Sequence, residues 1–251
     1  MSPSPASAST RAIHAQRAAE RAVQYLRPGM VVGLGGGTTV LFALRKLAAL
    51  LRAGELHDLL GVSCSSATGE EARRLGIPLT TLVDHPVIDV TIDGADEVDP
   101  DLNLIKGGGG ALLHEKIVAQ ASRREIIVVD DSKLSPVLGT NRRLPVEVIA
   151  FGWRGQVAYL ESLGAQVDRR LGAGGRPFET DEGHLILDCQ FGAIAAPGEL
   201  AERLKGRSGV VEHGLFLGLA TDLIVAGDGG IRHLERQRPP DSSDDPRGER
   251  R

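Results

Sequence analysis

Three glycine-rich or acid-rich stretches hold the residue types from which chemistry could be built. In "DGADEVDP", Asp93, Asp96, Glu97 and Asp99 crowd one turn. Carboxylates grouped this way suit a solvated acidic turn, a divalent-cation site, or a set of acceptors for the O–H groups of a polyol. A cation is the weakest of the three readings, because no nearby histidine completes a ligand set and the oxygen spacing of a calcium loop is missing. In "IKGGGGALLHEK", Lys106 leads into four consecutive glycines, and Glu115 follows in the first turns of an apolar, helix-like run. Such a glycine run costs backbone entropy and is useful where the main chain must approach a ligand closely or adopt positive φ. Gly107, Gly108 and Gly109 are candidates for that approach, as are Gly94 and Ala95 between the carboxylates. "GLGGGTTV" offers the backbone of Gly36 and Gly37 and the hydroxyls of Thr38 and Thr39 to a phosphate, or else is a plain tight turn. It is not a dinucleotide fingerprint, since Thr38 stands where a glycine is required, nor a Walker A loop, since no Gly-Lys-Ser/Thr ending is present. A lone helical histidine, His114, reads as an ordinary surface residue. A phosphate cradle, hydroxyl acceptors, a cation for a developing oxyanion and a glutamate able to move a proton together form a kit for enolising a phosphorylated sugar.

Elements able to position these groups can be read around them. "TRAIHAQRAAERAVQYL" has helical spacing, with Ile13, Val23 and Leu26 as its apolar residues. "MVVGLG" is a short buried strand, and "VLFALRKLAALLRAG" is a helix closed by Gly54. "LLGVSC" is a strand, "TGEEARRLG" a helix capped by Thr68 and ended by Gly76, and "VIDVTID" a strand ending at Asp93. After the four glycines come a helix, "ALLHEKIVAQAS", and a strand, "REIIVVD". This alternation predicts an α/β fold with an open, Rossmann-like, mainly parallel sheet flanked by helices, whose ligands bind beyond the carboxyl ends of the strands. From Arg142 the pattern becomes strand, helix, strand, strand, helix, strand, which fits a smaller inserted α+β domain of split β-α-β, ferredoxin-like type. "TDLIVAGDGG" then returns to the first sheet. The expected division is a disordered leader at 1–10, a catalytic domain at 11–141 and 216–234, a small domain at 142–215, and a disordered tail at 235–251.

Composition narrows the function classes. The chain has 251 residues, is 41% hydrophobic and carries a net charge of −4, which gives no electrostatic reason to expect a nucleic acid or an anionic membrane as partner. Cys64 and Cys189 lack metal-ligand spacing and read as reduced thiols, and no signal-peptide core or membrane-spanning run is visible, so a cytoplasmic location is expected. Only Lys46, Lys106, Lys116, Lys133 and Lys205 are lysines among 29 basic residues, which makes each one notable.

"VGLGGGTTV", "DGADEVDPDLNLIKGGGGALLHEKI", "DDSKL", "LPVEVI" and "GVVEHGLF", in this order and spacing, closely resemble the A-type ribose-5-phosphate isomerase family over about Ala18 to Gly227. The resemblance implies reversible conversion of ribose 5-phosphate to ribulose 5-phosphate in the pentose phosphate pathway, through an enediolate and without metal or organic cofactor. It implies a homodimer or dimer of dimers. It also makes Glu115 the base that moves the proton between C2 and C1, and Lys106 the group that stabilises the enediolate oxygen. Asp93 and Asp96 would bind hydroxyls and assist ring opening, while Gly36 to Thr39 and Lys133 hold the phosphate end. The loop departs from the family in having Gly36 where threonine is common and Thr38 where serine is common. Ser66 lacks the aspartate often found beside it, and the first helix offers Arg11, His14 and Arg17 rather than a lysine. A non-catalytic sugar-phosphate sensor on the same fold is the rival reading, but a sensor has no need of Glu115.

Overall fold

The computed structural model describes residues 5–236. Among them the chain runs α1 (Pro5–Val23), β1 (Val31–Leu34), α2 (Gly37–Arg52), β2 (Leu60–Ser63), α3 (Ser66–Leu75), β3 (Val90–Asp93), β4 (Glu97–Val98), β5 (Leu104–Ile105), α4 (Leu112–Gln120) and β6 (Glu125–Asp130). It continues through β7 (Leu144–Val148), α5 (Trp153–Ser162), β8 (Gln166–Arg169), β9 (Leu185–Gln190), α6 (Pro197–Lys205), β10 (Val210–His213), β11 (Leu215–Phe216), β12 (Asp222–Gly227) and β13 (Gly230–Glu235).

The larger sheet has the order β13-β12-β6-β3-β1-β2, parallel throughout except for β13, which returns antiparallel along β12. β3 and β6 are buried along their whole length, as central parallel strands covered on both faces are, and the apolar run Ile126–Val129 of β6 reflects it. From β1 the chain moves outward to β2, then crosses back to place β3 on the other side, so a crevice opens where β1 and β3 end. Gly35 and Gly36 leave β1 there, beside Asp93 at the last position of β3.

The smaller sheet, β10-β7-β9-β8, is antiparallel and carries α5 and α6 in the split β-α-β order. A third sheet, β11-β5-β4, joins the two and delivers Lys106 directly after β5. β12 returns to the large sheet beside β6, as the sequence pattern implies.

Four local expectations are corrected. The stretch set aside as a leader contributes residues 5–10 to α1, because Ala and Ser are compatible with helix and continue the run that follows. The buried face of α1 is Ala15, Ala18, Ala19 and Ala22, at i, i+3, i+4 and i+7, whereas Ile13 is 54% exposed. Small residues on that face let the helix lie close against β6 and β12. At α3 the cap is Ser65, whose side chain accepts from the Thr68 N–H, while Gly76 ends the helix in the left-handed region as expected. Glu235, placed at the start of the tail, closes β13; positions 1–4 and 237–251 lie outside the described residues. No described helix is long and apolar enough to cross a membrane.

Candidate active site

The crevice at the carboxyl ends of β1, β3 and β6 is a cleft of about 980 Å³. Gly36, Gly37, Thr38, Thr39, Gly94, Ala95, Asp96, Lys106, Gly107, Gly108, Gly109, Glu115 and Lys133 all line it. Four separate sequence segments thus converge on one cavity.

Lys106 is the hub. Only 2% exposed, its Nζ lies 2.9 Å from Asp93 Oδ2 and 3.4 Å from Glu115 Oε1, and donates to the Gly94 carbonyl at 2.6 Å. Burial alone would favour loss of its proton, but the Asp93 and Glu115 carboxylates outweigh burial and hold the ammonium charged well above its ordinary range. Asp93 is 1% exposed and fully engaged: Oδ1 accepts from the N–H groups of Gly36 (2.9 Å) and Gly94 (2.7 Å), and Oδ2 faces Lys106. It therefore sits beneath the cleft and anchors the lysine, and its oxygens are not displayed to a ligand. Asp96 does stand in the wall, with Oδ2 accepting from the Gly108 N–H at 2.7 Å.

Glu115, on the first turn of α4, is 6% exposed. Its Oε1 meets Lys106, and its Oε2 is buried with no hydrogen-bond partner among the described residues. Burial, only partly offset by Lys106 and reinforced by the charges of Asp93 and Asp96, pushes its pKa up to about 7. The space in front of it exists because residue 36 is glycine: a Cβ there would lie 2.7 Å from Glu115 Oε1. Gly36 has φ −109°, a conformation open to any residue, so the requirement at this position is for room. Cys64, fully buried below, is held as a neutral thiol by burial and by Asp93 and Glu115.

The neighbouring lysine in the same helix points elsewhere, since successive helical residues diverge by about 100°. Lys116 Nζ reaches Glu212 Oε1 at 2.7 Å and the His213 carbonyl at 2.6 Å on β10. His114 lies 2.7 Å from Glu182 on the outside of the molecule.

At the far side of the cleft, Gly36 precedes α2 without a side-chain cap. The first turn of α2, with Gly37, Thr38 and Thr39, lines the cavity together with Lys133 from the turn after β6, and its N–H groups have no side-chain cap. Arg11 of α1, named in the sequence but not placed in the site, also lines the wall, as do Phe42 and Arg45 of α2, Asp130, Asn141 and Arg142, which the sequence reading left out. A signal for the last two existed in the acidic run. Glu97 is buried, and its carboxylate accepts from the N–H groups of Gly139 (2.8 Å) and Asn141 (3.0 Å), which holds that segment over the cleft.

A family model described as ribose 5-phosphate isomerase A (phosphoriboisomerase A) matches residues 60–230. This chain belongs to that family. The ribose-5-phosphate isomerase A of Chloroflexus aurantiacus is 58% identical over 217 residues, covering 86% of this chain and 91% of that protein. A probable chloroplastic ribose-5-phosphate isomerase of Arabidopsis thaliana is 47% identical over 225 residues, covering 87% of this chain and 82% of that protein. Among solved structures, ribose 5-phosphate isomerase from Plasmodium falciparum superposes with a TM-score of 0.88 at 37% identity, covering 90% of this chain and all of that one. A D-ribose-5-phosphate isomerase in complex with phospho-erythronic acid gives the same TM-score at 36% identity, covering 90% and 99%. The family resemblance drawn from "DGAD", "KGGGG" and "EK" and the α/β fold class are thus both confirmed.

Proposed function

We propose that this chain interconverts D-ribose 5-phosphate and D-ribulose 5-phosphate, with Glu115 as the proton carrier. The observation that carries the reading is a buried carboxylate 3.4 Å from a buried ammonium, with its second oxygen unpartnered, in the wall of a cleft lined by a helix N-terminus. With the phosphate at the start of α2 and near Lys133, the opened sugar lies along the glycine loop toward Lys106. Glu115 removes the proton from C2, and the electrons of that C–H bond form the C1–C2 double bond while the carbonyl oxygen on C1 takes up negative charge. Lys106 stabilises that oxygen. The hydroxyl proton on O2 is transferred to O1, the C2 carbonyl forms, and Glu115 returns its proton to C1. One hydrogen has moved between carbons and one between oxygens, and no redox partner is required. Asp96 accepts from a substrate hydroxyl, and Asp93 contributes by fixing Lys106.

A pKa near 7 matters to this chemistry. A solvated glutamate, at about 4.3, is a poor base for a carbon acid, and raising it narrows that gap while leaving the ionised form populated at neutral pH. The free-enzyme profile of kcat/KM is therefore expected to rise tenfold per pH unit on the acid side and to level off above about 7. The defining test is ketose formation from ribose 5-phosphate by the wild type and by Glu115→Gln, beside binding of phospho-erythronic acid to both. The amide variant should bind while turning over about 10³-fold more slowly. Retention of substantial turnover would reject Glu115 as the base, and binding without turnover by the wild type would favour a sensor. Turnover should also be indifferent to chelation, since Lys106 supplies the charge that a Lewis acid would otherwise provide.

The same reading extends to a cytoplasmic homodimer or dimer of dimers, supported by the family's usual assembly and by two buried, unpaired thiols. Sedimentation of the purified chain tests the assembly.

A further inference from the structure

Behind the glycine loop lies an arginine that the cleft does not display. Arg170 immediately follows β8, and its guanidinium donates to two loop carbonyls, Gly107 O at 2.8 Å and Gly108 O at 3.2 Å. Its opposite edge grips Asp188 of β9, with Nε on Oδ2 at 2.9 Å and Nη2 on Oδ1. Both side chains are mostly shielded, at 14% and 21% exposure, so this fork is far more ordered than a surface ion pair. Phe178 completes the seat. Its ring centroid is 5.8 Å from Arg170, and it packs so tightly on Gly110, where φ is +92°, that a Cβ there would lie 2.3 Å from the ring.

The consequence follows from peptide geometry. In a trans peptide the C=O and the next N–H point in opposite directions. The Gly107–Gly108 unit is held at both ends, its carbonyl by Arg170 and its N–H by Asp96 Oδ2 at 2.7 Å. The Gly108 carbonyl also turns toward Arg170, so the Gly109 N–H is turned to the side of Asp96, where the cleft lies. A loop of four glycines has no rotamers or side-chain packing of its own to hold such an arrangement. The order has to come from outside the loop.

We propose that Arg170, braced by Asp188, is a positioning residue for the isomerisation: it clamps the Gly107–Gly109 peptides so that the Gly109 N–H and the adjoining Lys106 meet the oxygens of the reacting carbons in fixed register. This inference rests on the proposed function. The small sheet thereby takes part in the chemistry without touching substrate, and the loss of the clamp should appear in kcat, with the phosphate end still bound.

Kinetics of Arg170→Met, Arg170→Lys, Asp188→Asn and the Arg170→Met/Asp188→Asn double variant test it, with ribose 5-phosphate as substrate. Because an ångström of misplacement costs on the order of 10²-fold, Arg170→Met is expected to lower kcat about 10- to 100-fold with KM within about threefold. Arg170→Lys, which keeps one donor, should recover part of the loss. Asp188→Asn should fall in the same direction by a smaller factor, and the double variant should be no slower than Arg170→Met, because both act through one clamp. If Arg170→Met does not fold, Asp188→Asn in glycine-labelled protein carries the test: the Gly108 amide should exchange with solvent at least about tenfold faster. An active wild type with kcat unchanged in Arg170→Met, losses that multiply in the double variant, or unchanged Gly108 exchange in Asp188→Asn would overturn the inference. A wild type that does not isomerise ribose 5-phosphate would overturn the functional reading, and this inference with it.

Discussion

The two ends of the large sheet treat a buried carboxylate in opposite ways. At the amino end of β12, Asp222 is 3% exposed and saturated with donors. Arg124 gives it Nε at 2.9 Å and Nη2 at 2.6 Å, Thr221 gives a hydroxyl at 2.6 Å, and His233 lies at 2.7 Å with Tyr25 behind it. Burial pushes the Asp222 carboxyl upward, but these hydrogen bonds more than reverse it and bring its pKa down to about 2. At the carboxyl end, Glu115 has, among the described residues, one cationic neighbour and one unpartnered oxygen, and its pKa is near 7. Saturation makes the first a clamp that ties β13, and through Tyr25 the turn after α1, to the sheet. Under-coordination makes the second a base. Asp222, His233 and Glu235 bring potential ligand atoms within 4.8 Å of one another, but both oxygens of Asp222 are already taken by the Arg124 guanidinium.

The sharpest way to break the contrast is to remove the cationic partner of Glu115. Lys106→Met should lower kcat about 10²- to 10³-fold, as loss of an oxyanion stabiliser does, and it should also drive the Glu115 pKa higher, so that the acid limb of the pH profile moves to higher pH. At the saturated end, Asp222→Asn should cost about 1–3 kcal/mol of stability in denaturant titration while kcat holds, because it strips a charged acceptor from Arg124. Gly36→Ala puts a methyl 2.7 Å from Glu115 Oε1, closer than a carbon and an oxygen pack, so the carboxylate must shift from its place beside Lys106; about a tenfold loss of kcat with an unchanged Tm is expected.

The smallest effect concerns Glu125, whose two carboxylate oxygens are buried and unpartnered among the described residues. Burial, with the nearby charge of Asp93, raises its pKa well above the ordinary range. As pH rises past about 4.3 the unfolded chain releases this proton first, the folded state binds more protons, and stability falls with pH until the folded group titrates. Glu125→Leu removes that slope. It should be more stable than the wild type by about 1 kcal/mol at pH 7, with the advantage shrinking toward pH 4.

What the sequence could and could not reveal follows the same physical division. The glycine loops, Lys106 and Glu115 were legible because each is a local rule: positive φ, close approach, or an acid at the start of a helix. Asp93 was legible as a chemical residue but not as an anchor, since its partners Gly36 and Lys106 are brought in by strand crossovers. Gly36 stood out as a missing hydroxyl, and its actual effect, room for Glu115, depends on a helix far along the chain. Arg170 and Arg142 carry no local motif, and Glu97 stood in the acidic run without a sign of its partners Gly139 and Asn141; all three matter because the small sheet and the segment before β7 fold over the cleft. Ile13 misled for a simpler reason, as four alanines form the buried stripe and hydrophobicity alone favours the larger residue.

The most direct measurement is a carbon-13 titration of the side-chain carboxyls in the free protein, with Glu115 assigned by Glu115→Gln and Asp222 as the internal control. Glu115 should titrate near 7 while Asp222 stays ionised down to the acid limit of the fold. A Glu115 carboxyl that titrates near 4, alongside full isomerase activity, would contradict the claim that an under-coordinated acid in this cleft is what moves the proton.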